Sequence, residues 1–545
     1  MSTYILTLVD VRQVQRYVLN ANELKQNLGA SYLVEQAIRA WIFEALQPYR
    51  HNWLDPDKDE FDPALKIEDP GRRTDAEVIF SGGGNTAILF QDFPTAIAFT
   101  KRYTRLVLQN APGLEVAIGH VEIDWGAIDG MKTAWERMQD EMLMRRKEGR
   151  ITAQPLAGLG VTSECAFTGR PAVDEITDPD GRSVLVSAEA YAKHNQVQLA
   201  NQRLQDQLPV TPFFEYTSKF DELGGERGRS SYLAVVHADG NGMSKRIKNY
   251  SAEVRDSRET VNRMRAFSKS VNRAGLAAME AVRDWLLESL VWENQAEDRI
   301  YDRWSPGDYV RLKDNIVPYR PIVYGGDDVT LVCEGRLGLP LAAKTLEAFA
   351  SQKLEDDQPI YACAGVAIVH TNYPFARAYA LAEDLCRKAK IEARRLDEIA
   401  SRAALLHWNY TSSGRTLEEW DEIHRQVYIE TSGDLTLRPL LVTAGDGIQF
   451  ESWRTWESFL IELEAFRKVP WAGRRNKVKD LQSALRQGQN AVDKFTSQHE
   501  LLPAVPGIPA QARANALGWY DGHCLYFDVL EANDMLIYPK ERGEQ

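Results

Sequence analysis

The chain has 545 residues, 44% hydrophobic and 26% charged, with a formal net charge of -13. That size suits about three or four domains with several cores, and the acidic balance excludes broad nonspecific binding to DNA or RNA through clustered Lys and Arg. No apolar run reaches the roughly 18 residues needed to cross a bilayer, and Met1-Ser2-Thr3-Tyr4 lacks the basic and apolar regions of a signal peptide, so a cytoplasmic location and no membrane partner are expected.

In chain order, Tyr4-Ile5-Leu6-Thr7-Leu8-Val9 reads as a strand ending in Asp10. A later strand, Glu77-Val78-Ile79-Phe80, runs into Ser81-Gly82-Gly83-Gly84-Asn85 before Thr86-Ala87-Ile88-Leu89-Phe90, and Leu114 to Gly119 forms one more. Residues 151–230 carry turn formers, including Asp178-Pro179-Asp180-Gly181 and Gly224-Gly225-Glu226-Arg227-Gly228, and read as a connecting insertion. Tyr232 to Ala238 is an apolar, β-branched strand ending in Asp239-Gly240-Asn241-Gly242-Met243. Met264, Phe267, Val271, Ala274, Ala278, Val282 and Trp285 recur every three or four positions and describe a long helix on the second sheet. Pro321-Ile322-Val323, Tyr324-Gly325-Gly326-Asp327-Asp328 and Val329 to Cys333 read as strand, glycine turn, strand. Ala362 to Val369 is a further strand, and Tyr373-Pro374 opens a helix carrying Lys390. Beyond about 400 the chain turns helical, with Trp453, Trp456 and Phe459 at core spacing and Arg474 to Lys479 as a solvated basic helix face.

The order of elements around Asp10 and Asn85 repeats around Asp239 and Asp328, so each half is expected to be a βαββαβ ferredoxin-like palm. The expected fold class is α+β, with a degenerate first palm over 1–150, the insertion over 151–230, an active palm over 231–400 and a helical C-terminal domain over 401–545. The first half offers Gly-Asn where the second has Asp-Asp.

Adjacent acids at a hairpin tip repel each other, and a compensating cation is the economical explanation; Mg²⁺ is the expected one, with Mn²⁺ as its substitute. Asp239, Asp327 and Asp328 sit on two strand ends beside a glycine turn, the arrangement that metal-assisted phosphoryl or nucleotidyl transfer requires. A solvated Gly-Asp hairpin turn is the plain alternative for the tetrapeptide alone. The five cysteines, Cys165, Cys333, Cys363, Cys386 and Cys524, form no CxxC pair and are expected to be reduced and packed.

With these residues assembled, the chain resembles the polymerase/cyclase large subunit of type III CRISPR effector complexes and its stand-alone relatives. Asp10 with Val14-Gln15 and Gly29-Ala30-Ser31 resembles that family's first-palm opening, and Ser81-Gly82-Gly83-Gly84 its degenerate turn. Ala238 to Met243, Tyr324 to Asp328 and Ala389-Lys390 resemble its active palm, and Leu437-Arg438-Pro439 a stretch that follows it. No His-Asp pair of a nuclease domain is found in the N-terminal region, and Cys165 to Ala172 resembles half a zinc knuckle with Thr168 where the second cysteine belongs, so no zinc is expected.

The resemblance implies that Asp239, Asp327 and Asp328 are catalytic and hold the metals. It also implies that Gly325 and Gly326 admit a triphosphate, that Lys390 neutralises it, and that Gly240, Asn241 and Gly242 line the nucleotide with backbone amides. The implied activity joins ATP into cyclic or linear oligoadenylate messengers of antiviral defence. Effector subunits, guide and target RNA, or a second copy of the chain are the implied partners. Two rivals stand beside it: a catalytically silent scaffold that binds RNA or protein, and a diguanylate-cyclase-like enzyme that uses GTP.

Overall fold

The structure is a computed structural model that describes residues 2–19, 21–147, 161–177, 181–210, 212–223, 231–293, 297–305, 307–313, 315–398, 401–411, 419–499, 502–509 and 518–540. Of the turn segments named above, 178–180 and 224–228 lie outside the described residues. The α+β class expected from sequence holds, and the chain divides into two compact units.

The first unit comprises residues 1–209, 243–274 and 354–358. Strand β1 (Thr3–Arg12) is buried at every position from Tyr4 to Val11, on both faces, as a central strand covered on both sides must be. It lies between β3 (Asn85–Phe90) and β4 (Glu115–Asp124), and β2 (Ala76–Gly82) completes an antiparallel sheet of order β2-β3-β1-β4. That is the ferredoxin-like order. Helix α1 (Leu24–Ile38) follows β1. Helix α2 (Phe93–Asn110) starts where Asp92 accepts the Thr95 N–H at 2.8 Å, and α3 (Gly130–Lys147) follows β4.

Met131, Ala134 and Met138 of α3 pack on Leu6, Leu8, Leu89 and Ile123. Val261 and Met264 of the long helix α4 (Ser257–Glu288) join the same core. The expectation that α4 packs wholly on the second sheet is therefore corrected: its residues up to 274 belong to the first unit and only the remainder to the second. Arg258 and Arg265 of α4 reach Glu77, which β2 buries at 1% exposure, with contacts of 2.6 and 2.8 Å. A buried carboxylate needs such cations, and they anchor this half of the helix.

In the second unit β5 (Tyr232–Gly240), β6 (Tyr319–Val323), β7 (Asp328–Glu334) and β8 (Ala362–His370) repeat the first sheet as β6-β7-β5-β8. Helices α5 (Gly338–Ala350) and α6 (Phe375–Leu396) follow β7 and β8. The sheet then goes on past residue 400: β9 (Ala403–Thr411) joins parallel to β8, and β10 (Leu440–Ala444) joins antiparallel to β9.

The remainder is mainly helical, with α7 (Trp456–Arg467), α8 (Arg475–Gln487) and α9 (Phe527–Ala532). Trp453, Trp456 and Phe459 are buried, and α8 turns Val478 inward, leaving Arg475 and Lys479 exposed. Arg438 is fully buried, paired with Asp528 at 3.1 Å and Glu531 at 2.6 Å and enclosed by the rings of Trp408, Trp420 and Tyr428.

All five cysteines are free and buried. Cys165 packs on Val186 and Ala190, and Thr168 donates its hydroxyl to Ser187. No helix among the described residues is long and apolar enough to cross a membrane.

Candidate active site

The site is built by strand register. Asp239, next to last in β5, pairs directly with Asp328, the first residue of β7, and on its other side with Cys363 of β8. Four residues, Tyr324 to Asp327, bridge β6 to β7. Gly325 and Gly326 have φ of 110° and 73°, in the left-handed region where a side chain is strained.

Asp327 is held from behind. Its carbonyl accepts the Gly240 N–H at 3.0 Å, and its side chain lies so close over Gly240 that a Cβ there would fall 2.7 Å from the Asp327 Cβ and 2.8 Å from Oδ2. The turn is backed by α4, where a Cβ on Gly275 would fall 2.0 Å from the Gly326 carbonyl oxygen. From α6, Lys390 Nζ pairs with Asp239 Oδ2 and donates to the Gly240 carbonyl at 2.9 Å.

The charge of Asp239 raises the pKa of both neighbouring carboxyls. Burial first, then the charges of Asp239 and Asp328, push Asp327 up to about 6. Burial and Asp239 push Asp328 up to about 7 against the opposing pull of Lys390. Asp328 Oδ1 has no hydrogen-bond partner; His237 Nδ1 lies 3.5 Å from it and 3.2 Å from the Thr330 hydroxyl. Burial lowers the His237 pKa and keeps this ring neutral.

Crowded, mutually repelling carboxylates with an orphaned oxygen fit a hard divalent cation such as Mg²⁺ or Mn²⁺. Among the described residues, no three His, Cys, Asp or Glu side chains are grouped so as to hold a metal by themselves.

Asp239, Asp327, Asp328, Gly240, Gly325, Gly326 and Lys390 are thus brought together. Two backbone amides expected to line a nucleotide are already engaged: that of Gly240 by Asp327, and that of Asn241 by the Tyr361 carbonyl at 2.8 Å. The Asn241 side chain is buried and donates to the Ser401 and Ala403 carbonyls at 3.0 and 2.9 Å. With these amides engaged, Gly240 and Asn241 shape the strand end in this structure. Gly242 follows at φ 64°. Gly275 and His237 escaped the sequence reading. A lone glycine inside a helical pattern and a histidine two positions before Asp239 on the same strand face were the available signals.

The first unit serves as an internal control. Asp10 pairs with Asn85 as Asp239 does with Asp328, and the Val11 N–H donates to the Gly84 carbonyl at 2.9 Å as Gly240 does to Asp327. The backbone is duplicated while Gly84 and Asn85 stand where the acids would be, on a tighter two-residue turn.

A ferredoxin-like sheet with acids on two adjacent strand ends and a glycine turn between defines a palm domain of the nucleotidyl-cyclase type. Residues 232–400 match the family model of the Cas10/Cmr2 second palm domain, and this segment is a domain of that family, as its resemblance to the type III CRISPR large subunit implied. A chain of the Csm1–Csm4 cassette crystallised in complex with cA4 superposes with a TM-score of 0.51 at 13% identity, covering 98% of this chain and 70% of that one. The cassette in complex with AMPPNP gives 0.51 at 14% identity over the same shares, and that with one ATP gives 0.51 at 14% over 97% and 70%. At such identities the likeness is one of fold. A search of curated proteins gives no match.

Proposed function

We propose that the second palm is a nucleotidyltransferase that joins ATP into cyclic or linear oligoadenylates in CRISPR-type defence. The observation that carries this reading is the register that sets Asp239 beside Asp328, with Asp327 folded over Gly240, inside a matched second palm domain. In the reaction a ribose hydroxyl of one ATP attacks the α-phosphorus of another, its proton passes to solvent, and pyrophosphate leaves with the bond electrons.

Asp239, Asp327 and Asp328 would hold Mg²⁺ or Mn²⁺, which when bound supplies positive charge to the phosphates in the transition state. The glycine turn, which has no side chain at Gly325 or Gly326, lets a triphosphate approach the backbone. Lys390, placed over Asp239 and Gly240, contributes a further positive charge. Alignment of the two nucleotides would account for much of the rate.

The similar structures support adenine as the base and an effector subunit as partner, because they are Csm1–Csm4 cassettes with cA4, cA3 and ATP. Purified protein given Mg²⁺ and each NTP in turn should release pyrophosphate from ATP and yield oligoadenylates by mass spectrometry, and Asp327→Ala should abolish both. Equal release by that variant would refute the site, and products from GTP alone would favour the diguanylate-type rival.

A further inference from the structure

Helix α2 of the first unit divides its residues between two faces. Ala96, Phe99, Tyr103 and Val107 are buried, while Ala98, Lys101, Arg102 and Arg105 stand exposed on the other side. That exposed face and the short helix Ala40–Leu46 line a groove of about 670 Å³. Its volume falls in the range of roughly 300–1,000 Å³ that small-ligand sites occupy. Lys101, Arg102 and Arg105 line it with three cations, Glu44 is the one acid, and Ala98 and Leu106 add apolar surface.

The chain carries 78 acidic residues against 65 basic ones, so carboxylate partners are plentiful. Among the described residues, however, none of these three cations enters an ion pair, with Glu44 or with any other acid. Lys101 and Arg105 stand at i and i+4, where like charges oppose helix stability, and are separated by only about 6 Å of helix rise. Positive charge so concentrated calls for a ligand whose negative charges are equally close. Consecutive phosphates meet that demand, whereas an acidic peptide spreads one carboxylate over each residue. Guanidinium forks also match phosphate oxygens in pairs, which an ammonium does not. No aromatic ring lines the groove, so it lacks a platform on which single-stranded bases could stack. We infer that this groove binds a polyphosphate group, free or carried by a nucleoside triphosphate, with Arg102 and Arg105 forked on its oxygens and Lys101 as a point charge. It shares no residue with the acidic site of the second palm, and the inference does not rest on that site's activity.

The test is isothermal titration of the full chain with inorganic tripolyphosphate and, separately, with ATP, both in EDTA so that no metal bridges a phosphate to the acids of the second palm. Wild type is compared with the double variant Arg102→Gln/Arg105→Gln, whose exposed positions leave the Tm level, and with Lys390→Gln. The double variant should bind tripolyphosphate about 10–100-fold more weakly, the loss expected when charge-assisted hydrogen bonds are removed, while Lys390→Gln binds as wild type does. Affinity for ATP equal to that for tripolyphosphate assigns the groove to the phosphates alone, and tighter binding of ATP assigns it to a nucleotide. No binding by wild type, equal binding by wild type and the double variant, or a loss confined to Lys390→Gln overturns the inference. A hexaglutamate peptide that competes as well as tripolyphosphate also overturns it and makes the groove a docking surface for an acidic protein segment.

Discussion

Gly275→Ala probes the site from a residue outside every motif. In an isolated helix the change would gain about 1 kcal/mol, since Gly is the poorer helix former by that much. Here the new methyl would sit 2.0 Å from the Gly326 carbonyl oxygen and 2.7 Å from its nitrogen, where ordinary contact begins at 3.4 Å. The obstacle is backbone, so the turn must move by about an ångström or the helix must retreat, and forced overpacking of this kind costs about 1–3 kcal/mol. The net change in stability is a loss of about 0–2 kcal/mol. Activity should suffer more, because a misplacement of about 1 Å at a catalytic group costs about 100-fold. Pyrophosphate release from ATP, Mn²⁺ affinity and a thermal melt measured together decide it. A Gly275→Ala protein with wild-type release and wild-type Mn²⁺ affinity would refute the claim that α4 sets the position of the turn.

Titration of the acids should be visible in metal-free protein. Asp327 and Asp328 are held at about 6 and about 7 against an ordinary 3.8, so between those values the folded state binds protons that the unfolded chain has released. Stability must then fall as pH rises from about 4 to 7, while metal affinity rises over the same interval. Melts at pH 5 and pH 8 should show a larger drop for wild type than for Asp327→Asn, and parallel drops would contradict it. Asn241→Ala removes two donors from the Ser401 and Ala403 carbonyls and should cost about 1–3 kcal/mol in stability, with Kd for ATP unchanged; a nucleotide-binding defect at full stability would return Asn241 to the ligand. Arg438→Met strands Asp528 and Glu531 in the C-terminal core and should cost about 3–5 kcal/mol, seen as a lowered Tm; a melting temperature equal to wild type would show that the buried pairs contribute nothing.

What could be read from sequence was local. Apolar runs named the strands, glycine pairs named the turns, and Asp239, Asp327 and Asp328 stood at predicted strand ends, because side-chain alternation and turn chemistry act over a few residues. The duplication was legible for the same reason, as a repeated order of such signals with Gly84-Asn85 in place of two acids. Long-range pairing decided the rest. Register set Asp239 against Asp328, close packing gave Gly240 and Gly275 their roles, and α6 brought Lys390 over a strand far away in the chain. The division of α4 between two units and the continuation of the second sheet into β9 and β10 depend on which surfaces are left to cover, and no window of residues contains that information.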